Sequence, residues 1–199
     1  MFDRLMRGSV DRAMKMQPRR TQRVADELLY SSPSARDEVA AIREVGARLV
    51  GGGLTPPSAG SIAVRRSDTK VGVTLAGTDL ASIDNRSLET VDLSDRSTPA
   101  LAGLRAGSNA AIYAFPPNLL ALVAEGGVIE PVVSDLADRV GDLTIATHLD
   151  GIRTGLSILT GRGVVATHDG PLEALARLEA AETLARITII RQNLRRNHG

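Results

Sequence analysis

Apolar positions along the chain fall first at helical spacing, then in short alternating or continuous runs, and finally at helical spacing again. Val39, Ile42, Val45 and Leu49 share one face of a helix. The S-x-x-D pattern of Ser34 and Asp37 opens it, and Gly51-Gly52-Gly53 stops it. Ser61–Arg65 and the run KVGVTLAG, separated by Ser67-Asp68, predict a β-hairpin. SLETVDL predicts a further short strand, and the Ala/Gly-rich residues 99–107 a small packed helix. At 110–127 the chain reads AAIYAFPPNLLALVAEGG. This predicts a strand over 110–115, Pro116 near the first helical position, and a helix to about residue 125. VIEPVVS reads as a short strand or loop, SDLADRVG as a short helix, and GVVATHDG as a strand entering a turn. Pro171 opens a long helix whose apolar face is Leu172, Leu175, Leu178, Ala181, Leu184, Ile187 and Ile190. Hairpins mixed with crossover helices predict a mixed sheet covered by helices.

Composition narrows this picture. The chain has 199 residues, enough for one domain with a real core. Aromatics are only 2% of them, so that core is built from Ala, Val, Leu and Ile. There is no Cys, which excludes a disulfide framework and thiolate metal sites. No apolar run approaches the roughly 18 residues of a membrane span. The charged N-terminus shows no secretory pattern, and a cytoplasmic protein is expected. Phe2, Met6, Val10 and Met14 recur at helical spacing within a basic segment that holds all four methionines. Residues 1–33 are therefore expected to be a basic amphipathic extension, and 34–199 the folded domain. The net charge of +1 hides an uneven spread: Arg4, Arg7, Arg12, Lys15, Arg19, Arg20 and Arg23 crowd one end. Arg186, Arg191, Arg195 and Arg196 crowd the other, and the body between is acidic. Basic ends on an acidic body suit nucleic acid, an anionic membrane or the acidic body of a neighbouring subunit, and either end alone reads as a solvated tail.

Several strings, in order, resemble the class II aldolase/adducin family over roughly residues 35–194. GGGLTPPSAGSIAVR is similar to the family's Gly-containing turn and the strand after it. TLAGTDLASIDNRSLETVDL corresponds to its "TPSG" turn and acidic strand end, and GRGVVATHDGPLEALARLEAAETLARI to its closing strand and helix. The resemblance implies an α/β fold of three αβα layers around a mixed, largely antiparallel sheet. It also implies a divalent metal, usually zinc, held by an H-x-H pair and a third His, with an acid beside it. On this chain the H-x-H-P string falls on Tyr113-Ala114-Phe115-Pro116, and the third ligand on Arg162, before Gly163. The acid's turn falls near Ser97–Leu101 and holds no Glu. Tyr and Phe do not replace two imidazoles, and a guanidinium repels a cation. The expectation is a degenerate site at Tyr113, Phe115 and Arg162 with no zinc. His148, His168 and His198 are scattered and read as ordinary surface or loop histidines.

The family's phosphate turns correspond here to Gly60-Ser61 and Ala76-Gly77-Thr78. Their backbone N–H groups and hydroxyls, with Arg162, form a candidate anion site at Gly60, Ser61, Gly77, Thr78 and Arg162. The expected function is a non-catalytic member of the fold that works by assembly or by binding a small anionic ligand. The alternative is a repurposed, metal-independent lyase or isomerase acting on a sugar-phosphate-like or carboxylate substrate, with Tyr113, Arg162 and Arg105 as its acid and anion-binding set. Nucleic-acid or membrane binding is argued against by the lack of interleaved aromatics and of any binding motif. The expected partner is the chain itself, because family members form ring-like tetramers; the N-terminal segment and the C-terminal helix are the candidate contact surfaces.

Overall fold

The computed structural model describes residues 33–95 and 97–197. The chain divides into two compact units, Met1–Val39 and Ala40–Gly199. The second is described below, together with helix α1 (Pro33–Gly51), which leads into it. The methionine-rich N-terminal segment and His198 lie outside the described residues.

Seven strands form one sheet: β1 (Ser61–Arg65), β2 (Lys70–Thr74), β3 (Leu88–Asp92), β4 (Ala110–Ala114), β5 (Leu143–Ala146), β6 (Leu156–Leu159) and β7 (Gly163–His168). Their spatial order is β3-β2-β1-β4-β7-β6-β5. Every neighbouring pair is antiparallel except β5 and β6. The remaining helices are α2 (Pro99–Arg105), α3 (Pro117–Ala124), α4 (Ser134–Val140) and α5 (Pro171–Asn197). Helix α2 covers one face over β1, β4 and β7; α5 covers the other, with α3 and α4 packed against it. This is the three-layer αβα arrangement with a mixed, largely antiparallel sheet that the sequence predicts.

An aromatic-poor core has to be thin. β4 is the central strand, and its Ala110, Ala111, Ile112 and Ala114 are fully buried. Small side chains there let helices come close. A Cβ on Gly103 of α2 would lie 2.9 Å from both Thr167 Cγ2 and Val165 Cγ1. Gly46 of α1 lies directly against the Leu80 carbonyl, and Arg48 reaches Glu179 of α5 at 2.7 Å. These contacts, all within the second unit, fix residues 40–51 and with them the loop after Gly53, whose Leu54 carbonyl accepts from the Phe115 N–H just past β4. No described helix is long and apolar enough to cross a membrane.

The structure corrects several details. β5 and β6 are absent from the expected order of elements. Each has four residues, too few to display a period, and β6 is buried throughout. The strand expected over 110–115 stops at Ala114, because the Phe115 N–H leaves the ladder to bond the Leu54 carbonyl at 3.0 Å. Pro116 is the cap and Pro117 the first helical residue. VIEPVVS is loop up to Ser134, which opens α4. In α5, Ile190 is 49% exposed and Ile187 only half-buried, whereas Ala174, Ala185 and Thr188 are buried. Length explains this: a 27-residue helix is about 40 Å long and outruns strands of four to six residues, about 20 Å at most.

Candidate functional site

β4 and β7 run antiparallel, so the end of β4 meets the beginning of β7. The register pairs Tyr113 with Val165 and Ala114 with Val164. On its other side Tyr113 pairs with Ser61 of β1. The tight turn from β6 to β7 carries Gly161 at φ +69° and closes with the Arg162 N–H on the Leu159 carbonyl, 2.9 Å. It sets Arg162 beside Tyr113. The three positions singled out in the sequence, 113, 115 and 162, are thus neighbours in space.

Their contacts are specific. The rings of Tyr113 and Phe115 meet edge to face, centroids 5.0 Å apart at 62°. The Tyr113 hydroxyl donates to the Arg162 carbonyl at 3.1 Å. Both rings rest on Gly163, where a Cβ would lie 2.8 Å from Tyr113 Cε2 and 3.2 Å from Phe115 Cε1. Burial pushes the Tyr113 phenol above its usual pKa of 10.0, and the nearby Arg162 charge only partly opposes this. Tyr113 is therefore a neutral proton donor at physiological pH. The exposed Arg162 guanidinium makes no hydrogen bond or ion pair among the described residues. Tyr113 and Phe115 are also the only aromatic residues among those described.

The Gly60-Ser61 turn belongs to the same place. Gly60 has φ +97°, and a Cβ there would lie 2.5 Å from the Tyr113 carbonyl, so only glycine fits. Ser61 is buried, and its Oγ has no hydrogen-bond partner. Directly opposite in the register, Ser61 and Tyr113 project from the same face of the sheet. Gly77 and Thr78 lie in the turn that follows β2. Their loop is tied to the first by the Leu80 N–H on the Pro57 carbonyl, 2.8 Å, but the Thr78 hydroxyl turns to the Ser87 carbonyl at 3.5 Å. Gly77, at φ +75°, opens onto solvent.

Near Ser97–Leu101 the polar groups serve the backbone. Thr98 caps α2 by accepting from the Leu101 N–H, and Asp95 accepts from the Ser97 N–H at 2.7 Å. The side chain of Arg105 lies outside the described part of the structure. His148 is exposed before the 3-10 turn Leu149–Gly151. His168 is neither surface nor loop: it ends β7 half-buried, with Nδ1 enclosed and unpartnered. Five residues of strand, about 16 Å, separate it from Gly163, so it takes no part in this site. Among the described residues no three His, Cys, Asp or Glu side chains gather to hold a metal ion. A phenol spent on a carbonyl, a phenyl ring and a guanidinium do not fit a divalent cation.

One functional residue was missed from the sequence. Glu182 of α5 accepts from the N–H groups of Asn118 and Leu119, at 3.0 and 2.9 Å, and from Asn118 Nδ2 at 2.6 Å. It caps α3, whose own cap is Pro116, without a capping side chain. The helix N-terminus next to the site is therefore already occupied by an internal carboxylate. The signal was the double proline itself: a helix opening on Pro-Pro has to borrow its acceptor from elsewhere.

The fold has close counterparts among solved structures. L-Fuculose-1-phosphate aldolase from Thermus thermophilus superposes with a TM-score of 0.67 at 20% identity, over 81% of this chain and 96% of that one. YgbL from Klebsiella pneumoniae, described as a putative aldolase/epimerase/decarboxylase, gives 0.67 at 22% identity, over 78% and 89%. An aldolase II superfamily protein from Pseudomonas syringae gives 0.67 at 15% identity, over 82% and 78%. No protein-family model and no curated protein sequence matches the chain. The chain has the class II aldolase fold; at these identities the likeness concerns the fold alone.

Proposed function

We propose that this chain is a class II aldolase-fold protein without the catalytic metal site, which works by binding a small anionic ligand beside Tyr113 or by assembly. One observation carries this: where β4 ends and β7 begins, a neutral phenol, a phenyl ring and an unpaired guanidinium converge, and none of them ligates a divalent cation. The same three groups suit an anion. Arg162 supplies charge, the ring pair supplies an apolar wall that strengthens that charge, and Ser61 supplies a buried hydroxyl without a partner. Structural neighbours described as sugar-phosphate aldolases, including one from Thermotoga maritima, favour a phosphate-bearing ligand.

A second reading has its own support. Tyr113 keeps its proton and sits beside a free cation. That pair suits a metal-independent lyase or isomerase, with Arg162 holding a phosphate or carboxylate and Tyr113 protonating a developing oxyanion. For this the Tyr113 hydroxyl would have to leave the Arg162 carbonyl.

Calorimetric titration with inorganic phosphate, a sugar phosphate and a dicarboxylate tests both. Binding by the parent protein, lost in a folded Arg162→Ala variant, is expected. Stoichiometric zinc in the purified protein, or metal-dependent cleavage of a sugar phosphate, overturns the main proposal. Metal-free turnover that Tyr113→Phe abolishes would select the second reading.

A further inference from the structure

The two edges of the sheet differ in kind. β3 at one edge is guarded by charge: Glu89 and Asp92 lie on it, and Lys70 holds Asp92 at 2.8 Å. β5 at the other edge reads Leu-Thr-Ile-Ala, with no charge on any of its four residues. Leu143 is 38% and Ile145 60% exposed. They project from one face, where an apolar groove of about 240 Å³ is lined by Val128, Pro131, Val140, Leu143, Ile145 and Leu184. Val128, on its rim, is 77% exposed.

The backbone of β5 is half spent. The Leu156 N–H bonds the Asp142 carbonyl at 3.1 Å, and the Thr160 N–H bonds the Ala146 carbonyl at 3.0 Å. Even-numbered positions therefore face β6. Leu143 and Ile145 turn their own N–H and carbonyl groups outward, away from the sheet. Among the described residues, the same two thus present both unpaired ladder groups and exposed apolar side chains.

We propose that β5 is a self-pairing edge, and that its occupant is β5 of a second copy, antiparallel about a two-fold axis at Thr144. In that register Leu143 of one copy lies opposite Ile145 of the other, twice over. Each such pair exchanges both backbone hydrogen bonds and stacks two apolar side chains on the same face. The strand is self-complementary: no like charges meet within it, and the two grooves become continuous across the axis. β3 lacks this apolar self-complementarity: its exposed positions, Glu89 and Asp92, are charged, and reversal about Thr90 sets them opposite Val91 and Leu88 of the other copy. This inference does not depend on the ligand proposed above.

The test is sedimentation of the full chain across a concentration series, with amide hydrogen exchange on the same samples. A dimer is expected, with the Leu143 and Ile145 amides protected only when it forms. Ile145→Lys, at an exposed position that tolerates it, should raise the dimer dissociation constant at least about tenfold. Glu89→Lys on the other edge should leave it unchanged. Four outcomes overturn the proposal: a monomer at every concentration, a dimer indifferent to Ile145→Lys, equal weakening by Glu89→Lys, or protection of those amides in the monomer. The last would mean that another segment of the same chain covers the edge.

Discussion

Glu182 offers the sharpest test of how the site is built. Replacing it with Ala removes three hydrogen bonds to one carboxylate, two of them from the first N–H groups of α3. A lost N-cap costs typically about 1 kcal/mol, and a negative charge at a partly buried helix N-terminus contributes up to about 2 kcal/mol. Each hydrogen bond to an ionised group contributes about 1.5–3 kcal/mol in full burial. Glu182 is only half-buried, so water takes up part of the loss. A net cost of roughly 2–3 kcal/mol follows. For a domain of this size that is a fall in Tm of roughly 5–10 °C. Glu182→Gln keeps one carbonyl acceptor but turns an NH2 toward donors, and should lose about half as much. Paired urea and thermal melts of the parent, Glu182→Gln and Glu182→Ala measure the series. A change below about 0.5 kcal/mol in Glu182→Ala would refute the reasoning: water would then cap α3 as well as the carboxylate does, and the helix end beside the site would be open to an outside anion.

Gly163→Ala forces a methyl group against the Tyr113 and Phe115 rings and the Ala114 carbonyl, 2.8 Å away, and should cost about 2 kcal/mol in a denaturant melt. With Tyr30 and Tyr113 the only tyrosines, phenolate absorbance should show a phase above pH 10.0 that Tyr113→Phe removes. The sign for stability follows: a phenol harder to ionise when folded contributes stability that is full below pH 10.0 and drains away as pH rises through the higher folded value, so Tyr113→Phe should lose less stability there than the parent. Changing Tyr113, Phe115 and Arg162 together to His places imidazoles on three positions already shown to be neighbours, and the folded triple variant should retain zinc in equilibrium dialysis where the parent does not. A folded triple variant that binds none refutes the view that these positions replace a metal site.

The sequence carried the fold where its signals were local. Apolar faces with flanking Gly and Pro placed α1, the β1–β2 hairpin, β4 and α5 to within about three residues, and motif order placed residues 113, 115 and 162 together. Two kinds of information were missing. β5 and β6 are four residues each, and β6 is buried on both sides, so neither shows the alternation that marks a strand. Long-range polar contacts leave half a trace at most: the double proline shows that α3 needs a borrowed acceptor, but not which residue supplies it. The pairing of Glu182 with Asn118 spans 64 residues, and nothing around Glu182 in α5 distinguishes it from Glu179, which pairs with Arg48 instead. The same holds for His168, whose burial depends on which helix lies over the end of β7.

Arginine use points the same way as the site. Arg43 donates to the Ile83 carbonyl, Arg65 to Leu104, Arg153 to Asp150 and Ile152, and Arg177 to Thr167. Arg43, Arg65 and Arg153 tie helix ends and turns, and Arg177 ties the end of β7. Glu182 does the complementary work at α3, and Thr98 at α2. A fold with thin, alanine-rich layers has little apolar area to spare, and it ties its loops with charged side chains instead. Against that background Arg162 stands out. It sits in a turn whose backbone is already satisfied, beside a phenol whose hydroxyl is already used, and it still carries an unshared charge. A surface arginine with no task is common, but this one stands beside Tyr113, whose ring meets that of Phe115 and whose strand partner, Ser61, is buried with its hydroxyl unpartnered. A ligand that satisfied both would need an anionic group for the guanidinium and a hydrogen-bonding group for the serine, and it would have to lie along the ring pair. Those demands favour a phosphate or carboxylate on a small organic frame over inorganic phosphate alone, and in the calorimetric panel the sugar phosphate should therefore bind more tightly.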